Sequence, residues 1–249
     1  MIYKTINIKD ALFTMYLIDN YPAIDIDRKR PAVLILPGGG YTVTSDREAE
    51  PVALAFLEKG YNAFVLKYST NSEAKYPLQL NEATEALKYI RANSKEFNTN
   101  PCKIAVVGFS AGGHLAACLS NISDEKPNAA VLCYPVITSG EFAHRGSIEA
   151  LGDNISVEDY VTEQTPPTFI WHTYEDASVP VENALIMANA LRKNKIPLEM
   201  HIFQNGPHGL SLCNEQTARK DDPRLIDSHA GKWFDLCIDW LNKIFSKII

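Results

Sequence analysis

The sequence predicts an α/β fold in which a mostly parallel sheet of eight strands is covered by helices on both faces. Strand-like and helix-like patterns alternate through most of the chain, which is typical of such a layered arrangement. Most of the strand patterns are near-continuous apolar runs, as expected for strands that are buried on both faces. With 249 residues, 46% of them hydrophobic, the chain is long enough to bury a sizeable core.

The strand patterns begin with an antiparallel lead-in pair at 2–8 and 13–19, where apolar and polar residues alternate. Six further strand patterns follow at 32–36, 62–68, 103–109, 129–134, 167–173 and 198–203. Helical periodicity is present at 47–58, 78–97, 111–120, 181–194 and 229–247. No linker rich in Pro, Gly or Ser interrupts this order, so we expect one domain over 1–249. An irregular insertion at about 137–166 is expected over the carboxyl edge of the sheet.

Charge and composition limit the partners of the chain. The net charge is −6 and the basic residues are scattered among acidic ones, so we expect no nucleic-acid partner. No apolar run approaches the roughly 18 residues of a membrane span, and the N-terminus lacks a signal-peptide pattern, so we expect a cytoplasmic protein without a membrane partner. The five cysteines show neither CxxC pairs nor zinc-type spacing. We therefore expect a small-molecule ligand and no metal or cofactor; a homo-oligomer is left open.

One serine stands between glycines where a strand pattern meets a helix pattern. Residues 106–117 read VVGFSAGGHLAA, with Ser110 at the centre of a GxSxG motif. A tight strand-to-helix turn strains the central residue and requires small residues at Gly108 and Gly112. The hydroxyl would then lie at the carboxyl edge of the sheet, close to a helix N-terminus. Ser110 is therefore a candidate nucleophile, and the alternative is a glycine-rich turn that binds a phosphate or nothing.

A serine nucleophile requires a general base within hydrogen-bond reach. His208 lies in the loop NGPHGL directly after the last predicted strand, at the same sheet edge as Ser110. The other five histidines lie on predicted helices, in strands or in an irregular segment: His114, His144, His172, His201 and His229. We expect His114 to pack against a neighbouring loop. His208 is therefore the candidate base, with an ordinary loop histidine as the alternative.

The base requires an acid to orient it, and the expected chain order is Ser, Asp, His. Asp176 follows the strand pattern at 167–173 and precedes the next predicted helix. The adjacent Glu175 is a competitor, but the shorter carboxylate suits a fixed bond to imidazole Nδ1 better. Asp153 falls before the strand and is excluded. Asp176 is therefore the candidate acid, with Glu175 left open.

Backbone amides are expected to stabilise negative charge on a reacting oxygen. One donor should be the residue after the nucleophile, which is Ala111. The others should come from LPGGGY, residues 36–41, which directly follows a predicted strand. Glycines there allow the backbone to turn its amides toward a ligand. Gly39 and Gly40 are the candidates, although a run of glycines is also typical of a flexible loop.

Five stretches between about 33 and 212 together resemble the α/β-hydrolase superfamily. They are LPGGGYTVTSDREAEPVA, VVGFSAGGHLAA, YPVI, TPPTFIWHTYEDASVPVENA and FQNGPHGLSL. Within the superfamily the chain is similar to acetyl xylan esterases and their sugar-hydrolase relatives. The resemblance implies an α/β-hydrolase fold and a serine esterase that removes short acyl groups, chiefly acetyl, from sugars. The implied roles are nucleophile for Ser110, acid for Asp176, base for His208 and oxyanion donors for Gly39, Gly40 and Ala111.

The segment 137–166 is polar, acidic and short, so it cannot form the broad apolar lid that long acyl chains require. Small, soluble substrates are therefore expected. Tyr41 and Tyr174 could stack on a sugar ring, although tyrosines at a sheet edge pack against loops as often. His144 and Arg145 are assigned to a solvated loop, with contact to substrate or to a second subunit as the alternative. Two other functions are left open: a serine peptidase of the prolyl-oligopeptidase type, and a non-enzymatic binding protein with a hydrolase fold.

Overall fold

The computed structural model describes residues 1–70 and 74–248. The domain predicted over 1–249 therefore includes four positions that lie outside the described residues. The eight strands are β1 (Ile2–Ile8), β2 (Ala11–Leu17), β3 (Arg30–Leu36), β4 (Asn62–Lys67), β5 (Thr99–Phe109), β6 (Ala129–Cys133), β7 (Thr168–Thr173) and β8 (Leu198–Phe203). They form one sheet in the order β1-β2-β4-β3-β5-β6-β7-β8. The β1–β2 and β2–β4 pairs are antiparallel and the other pairs are parallel. The predicted fold class and lead-in pair are confirmed.

The helices are α1 (Glu50–Glu58), α2 (Leu78–Ala92), α3 (Ala111–Asn121), α4 (Arg145–Leu151), α5 (Glu182–Lys193) and α6 (Trp233–Ser246). Three predicted helix boundaries differ from the observed ones by three residues or more. A short 3-10 turn at 46–48 precedes α1, and Pro51 occupies the first turn of the helix, where its missing N–H costs no hydrogen bond. Another 3-10 turn at 230–232 precedes α6. Helix α2 ends at Ala92 instead of residue 97, because the following residues form hydrogen-bonded turns.

The segment 137–166 is more regular than predicted. It contains α4 and a 3-10 turn at Val157–Tyr160, and Ile148 and Leu151 of α4 are buried. Gly152, with φ of 76°, ends α4 in the left-handed conformation that glycine adopts easily. A helix of seven residues is too short for its hydrophobic periodicity to stand out in the sequence.

Apolar side chains pack on both faces of the sheet, because successive residues of a strand point to opposite sides. Leu34 and Leu36 of β3 belong to a buried cluster that includes residues of α2, α3 and α5. Val33 and Ile35 belong to a second cluster that includes residues of α1 and α6. In the described ranges, no helix combines the length and the apolar character needed to cross a bilayer. The loops after the parallel strands meet at one sheet edge.

Candidate active site

The turn between β5 and α3 holds Ser110 in a strained conformation, with φ of 53° and ψ of −116°. A Cβ on Gly108 would lie 2.2 Å from the carbonyl oxygen of Gly112, and a Cβ on Gly112 would lie 2.1 Å from that of Leu36. The backbone on either side of the serine therefore excludes side chains. The Ser110 N–H donates to the carbonyl of Cys133 at 3.0 Å, which ties the turn to β6.

Three side chains predicted from the sequence lie in one hydrogen-bonded row. The Ser110 hydroxyl lies 2.7 Å from Nε2 of His208. Nδ1 of the same imidazole lies 2.6 Å from Oδ2 of Asp176. Asp176 follows β7 and His208 follows β8, so the sheet edge brings both loops to the turn after β5. The hydroxyl can donate its proton to Nε2 while Nδ1–H donates to the carboxylate.

Asp176 is only 6% exposed, and its carboxylate accepts hydrogen bonds on both oxygens. Oδ1 accepts from the N–H groups of Ser178 and Val179, each at 2.9 Å. Oδ2 also lies 3.3 Å from Nε2 of His172. Burial raises the pKa of Asp176, but hydrogen bonds from the two histidines lower it by more than burial raises it. The pKa of Asp176 therefore lies well below its usual range. Asp176 is therefore ionised at neutral pH.

Glu175, the alternative acid, does not contact His208. Its side chain is exposed, and its carboxylate accepts a long hydrogen bond of 3.4 Å from the N–H of Gly206. The structure therefore brings Asp176, and not its neighbour, to the imidazole.

The glycine-rich loop after β3 lies against Ser110. Gly39 and Gly40 line the same cavity as the serine hydroxyl and adopt φ values of 129° and 64°. A Cβ on Gly39 would lie 2.2 Å from the carbonyl oxygen of Val43, so a side chain is excluded there. Ala111 is buried at the first position of α3. The three predicted oxyanion donors are thus next to the nucleophile, and their amides remain candidates for that role.

Sequence reasoning missed a buried carboxylate that holds the glycine loop. Glu48 is 3% exposed, and its Oε2 accepts the Gly38 N–H at 2.8 Å. Its Oε1 accepts the Tyr134 hydroxyl at 2.6 Å, and the Tyr134 oxygen accepts the Ser211 N–H at 2.9 Å. The bonds connect the glycine loop to the loop that carries His208. No spacing in the sequence pointed to this connection.

Arg47 adds a second connection between the same two loops. Its Nη2 donates to the carbonyl of Gly209 at 2.8 Å, its Nε donates to the carbonyl of Thr217, and its own carbonyl accepts the Ser211 hydroxyl at 2.9 Å. Because Gly209 directly follows His208, this guanidinium fixes the backbone beside the imidazole.

The cavity at the serine has a volume of about 410 Å³. Its lining is Gly39, Gly40, Val43, Ser45, Arg47, Glu48, Ser110, His144, Ser178, His208, Gly209 and Arg219. Val43 is the only aliphatic side chain among these described residues. His144, which the sequence assigned to a solvated loop, therefore belongs to the site. No cluster of three or more His, Cys, Asp or Glu side chains within 1–70 and 74–248 is arranged to hold a metal ion.

The two tyrosines expected to contact a sugar do not line this cavity. Tyr41 is 2% exposed, and its hydroxyl bonds to Nδ1 of His114 at 2.9 Å, so the expectation that Tyr41 stacks on a sugar is wrong. His114 also bonds through Nε2 to the carbonyl of Ile155 at 3.2 Å, so it packs against a loop as expected. Burial lowers the pKa of His114 to about 4. Tyr174 is 71% exposed and lies outside the site.

The chain is similar to a family model and to several known hydrolases. The BD-FAE family model matches residues 18–137. The chain is 38% identical over 215 residues to endo-1,4-beta-xylanase B of Butyrivibrio fibrisolvens, in an alignment that covers 76% of this chain and 34% of that protein. The chain thus spans about a third of the length of that curated relative.

Two solved structures share the fold over nearly the whole chain. MGS-M1, an alpha/beta hydrolase enzyme from a Medee basin deep-sea metagenome library, is 41% identical, with a TM-score of 0.89 and coverage of 99% of this chain and 98% of that one. An acetyl ester-xyloside bifunctional hydrolase from Caldicellulosiruptor lactoaceticus is 38% identical, with a TM-score of 0.83 and coverage of 94% and 88%. The sheet order, the serine turn and these matches together identify the chain as a member of the α/β-hydrolase family.

Proposed function

We propose that this protein is a serine esterase that removes short acyl groups, acetyl above all, from sugars or small oligosaccharides. The observation that carries the proposal is the hydrogen-bonded row from Ser110 to His208 to Asp176, with distances of 2.7 and 2.6 Å. The carbohydrate part of the proposal is supported by the relatives, one named as a xylanase and one as an acetyl ester-xyloside hydrolase.

In the first step, Nε2 of His208 takes the Ser110 proton while the serine oxygen attacks the ester carbonyl carbon. The carbonyl oxygen becomes an oxyanion, which the amides of Gly39, Gly40 and Ala111 stabilise. When the tetrahedral intermediate collapses, the C–O bond to the alcohol breaks and the alcohol leaves with the proton from His208. The acyl group is then bonded to Ser110.

In the second step, water attacks the acyl-enzyme while His208 takes a proton from the water. Collapse of this second intermediate releases the carboxylic acid and returns the proton to Ser110. Asp176 stays ionised through both steps because its hydrogen bonds hold its pKa well below the usual range. It keeps Nδ1–H directed toward itself and stabilises the imidazolium that forms after each proton transfer.

The walls of the cavity favour a short acyl group and a polar alcohol. Burial of an acyl methylene against an apolar wall contributes about 0.8 kcal/mol, but the described lining offers only Val43 as an aliphatic surface. Arg47, His144 and Arg219 line the same space with hydrogen-bond donors. A volume of about 410 Å³ is within the range of small-molecule sites, so most of it is available to the alcohol portion.

Ser110→Ala should lower kcat on both p-nitrophenyl acetate and acetylated xylo-oligosaccharides by about 10⁴-fold or more, because the bond-forming oxygen is lost. Ser120→Ala is the matched control, since Ser120 lies on the same helix and its hydroxyl donates to the carbonyl of Ala116 at 2.8 Å, away from the cavity. Acetate release and thermal unfolding would be measured for both variants. Near-normal turnover by a folded Ser110→Ala protein would refute the proposal.

A further inference from the structure

His144 caps the N-terminus of α4 in a way that fixes which ring nitrogen carries the proton. Its Nδ1 accepts the backbone N–H of Ser147 at 3.2 Å and lies 2.8 Å from the Ser147 hydroxyl. An imidazole nitrogen that accepts a hydrogen bond carries no proton, so in the neutral ring the proton is on Nε2. Ser147 is fully buried, which holds this side of the ring in place.

The other ring nitrogen of His144, Nε2, is available to a ligand. His144 lines the cavity together with Ser110 and His208, and Nε2 has no hydrogen-bond partner among the described residues. The start of α4 also lies against the glycine loop, since a Cβ on Gly40 would be 3.7 Å from the Ser147 hydroxyl oxygen. The cap therefore leaves a single N–H donor on a side chain that lines the cavity.

The ring is uncharged at neutral pH. Burial lowers the pKa of His144, the neighbouring His208 lowers it further, and Asp176 opposes the shift. A neutral ring with an occupied Nδ1 offers one donor and no acceptor, so it recognises an oxygen lone pair and not an N–H group.

We propose that His144 binds the sugar portion of the substrate, with Nε2–H donating a hydrogen bond to a hydroxyl or ring oxygen of the alcohol that carries the acyl group. The inference rests on the proposed esterase function. The carbonyl oxygen is assigned to the backbone amides, and an acetyl group fills only a small part of about 410 Å³. The alcohol is therefore the portion that meets the wall formed by α4.

His144→Asn separates this role from helix capping. Asparagine is among the best N-cap residues and can accept the Ser147 N–H, but its short side chain does not supply the Nε2–H donor. We expect kcat/KM on acetylated xylo-oligosaccharides to fall about 5- to 10-fold, mainly through KM, as for a lost neutral hydrogen bond. On p-nitrophenyl acetate, whose alcohol has no sugar oxygens, kcat/KM should stay within about twofold.

Arg145→Ala is the matched control, because Arg145 is the exposed neighbour on α4 and does not line the cavity. For Arg145→Ala, kcat/KM on both substrates should match that of the unmodified protein. Thermal unfolding of His144→Asn would show whether the helix cap is retained. An equal loss on the two substrates, or no loss on either, would overturn the role of His144 while the esterase function stands. An unmodified protein that hydrolyses neither substrate would overturn the proposed function and this inference with it.

Discussion

At the scale of single residues, the surroundings of Asp176 determine its charge. Burial alone would favour the protonated acid, but two backbone N–H groups and two imidazoles donate to its oxygens. His172 shares its Nε2–H between Asp176 and the Val179 carbonyl, which lies 2.9 Å away. The buried Nδ1 of His172 has no partner within the described part of the chain. The carboxylate is thus held by contacts from its own loop, from β7 and from the loop after β8.

This arrangement predicts an acid-dependent loss of stability. The folded pKa of Asp176 lies below its unfolded value of 3.8, so its contribution is present above that pH and lost as the pH falls. At pH 3 the unfolded carboxyl is mostly protonated while the folded one stays ionised. The free energy of unfolding should therefore drop between pH 5 and pH 3 by about 1 kcal/mol more in the unmodified protein than in Asp176→Asn. Urea titrations of both proteins measure the difference, and equal drops would contradict it.

Residues with reactive side chains were easier to predict than residues that hold neighbouring loops in place. Ser110, Asp176 and His208 were found because each follows a predicted strand and carries a reactive group; the structure brings them together, and their catalytic roles are a proposal. Tyr41 was misassigned because nothing in the sequence shows that its ring is buried against His114. Glu48 was missed because its partners are a backbone amide and a distant phenol.

At the scale of the elements, the serine turn depends on close backbone contact. Alanine within a helix is favoured over glycine by about 1 kcal/mol, so propensity alone would make Gly112→Ala stabilising. The clash of its Cβ with the Leu36 carbonyl should outweigh this and lower the free energy of unfolding by about 3 kcal/mol. Denaturant unfolding followed by circular dichroism measures the change.

Gly231→Ala is the control for that prediction. A Cβ on Gly231 would lie 3.5 Å from its nearest neighbours, which is ordinary contact. We expect its free energy of unfolding to stay within about 0.5 kcal/mol of that of the unmodified protein. If the two alanine variants were equally stable, the close approach of α3 to β3 would not be the reason for the glycine.

The centres of the long elements were predictable, while their ends and one short helix were not. Strands were recognised because those buried on both faces consist of continuous apolar residues. The end of α2 depends on turns formed after Ala92, which periodicity does not report. Helix α4 is stabilised by its cap and by a few buried side chains, and a window of seven residues contains too little pattern to reveal it.

At the scale of the whole molecule, the fold opens a cavity at the carboxyl edge of the sheet whose lining residues are mostly polar and include one aliphatic side chain, Val43. An apolar acyl site would raise kcat/KM about fourfold for each added methylene, from about 0.8 kcal/mol of burial. We expect no such rise here, so kcat/KM should be highest for p-nitrophenyl acetate and lower for the butyrate and octanoate esters. A steady increase toward octanoate would show that the acyl group binds to an apolar surface.

The fold class followed from the sequence because the alternation of patterns is repeated along the chain. Most strands contribute residues to two apolar clusters, so an error at one element leaves the overall assignment intact. The size and polarity of the cavity depend on loops from several strands, and no single segment encodes them. That is why His144 was assigned to a solvated loop and yet lines the site.

The hydrogen-bonded pair Glu48 and Tyr134 restricts which substitutions this chain can accept. A single replacement at either position would leave a buried donor or acceptor without a partner, which should lower the free energy of unfolding by about 1–3 kcal/mol. Compensation requires a coordinated exchange at both positions, along with a new acceptor for the Ser211 amide. The segments that carry the glycines and the imidazole should therefore be exchanged together, and we expect a chimaera to fold poorly unless both positions come from the same parent.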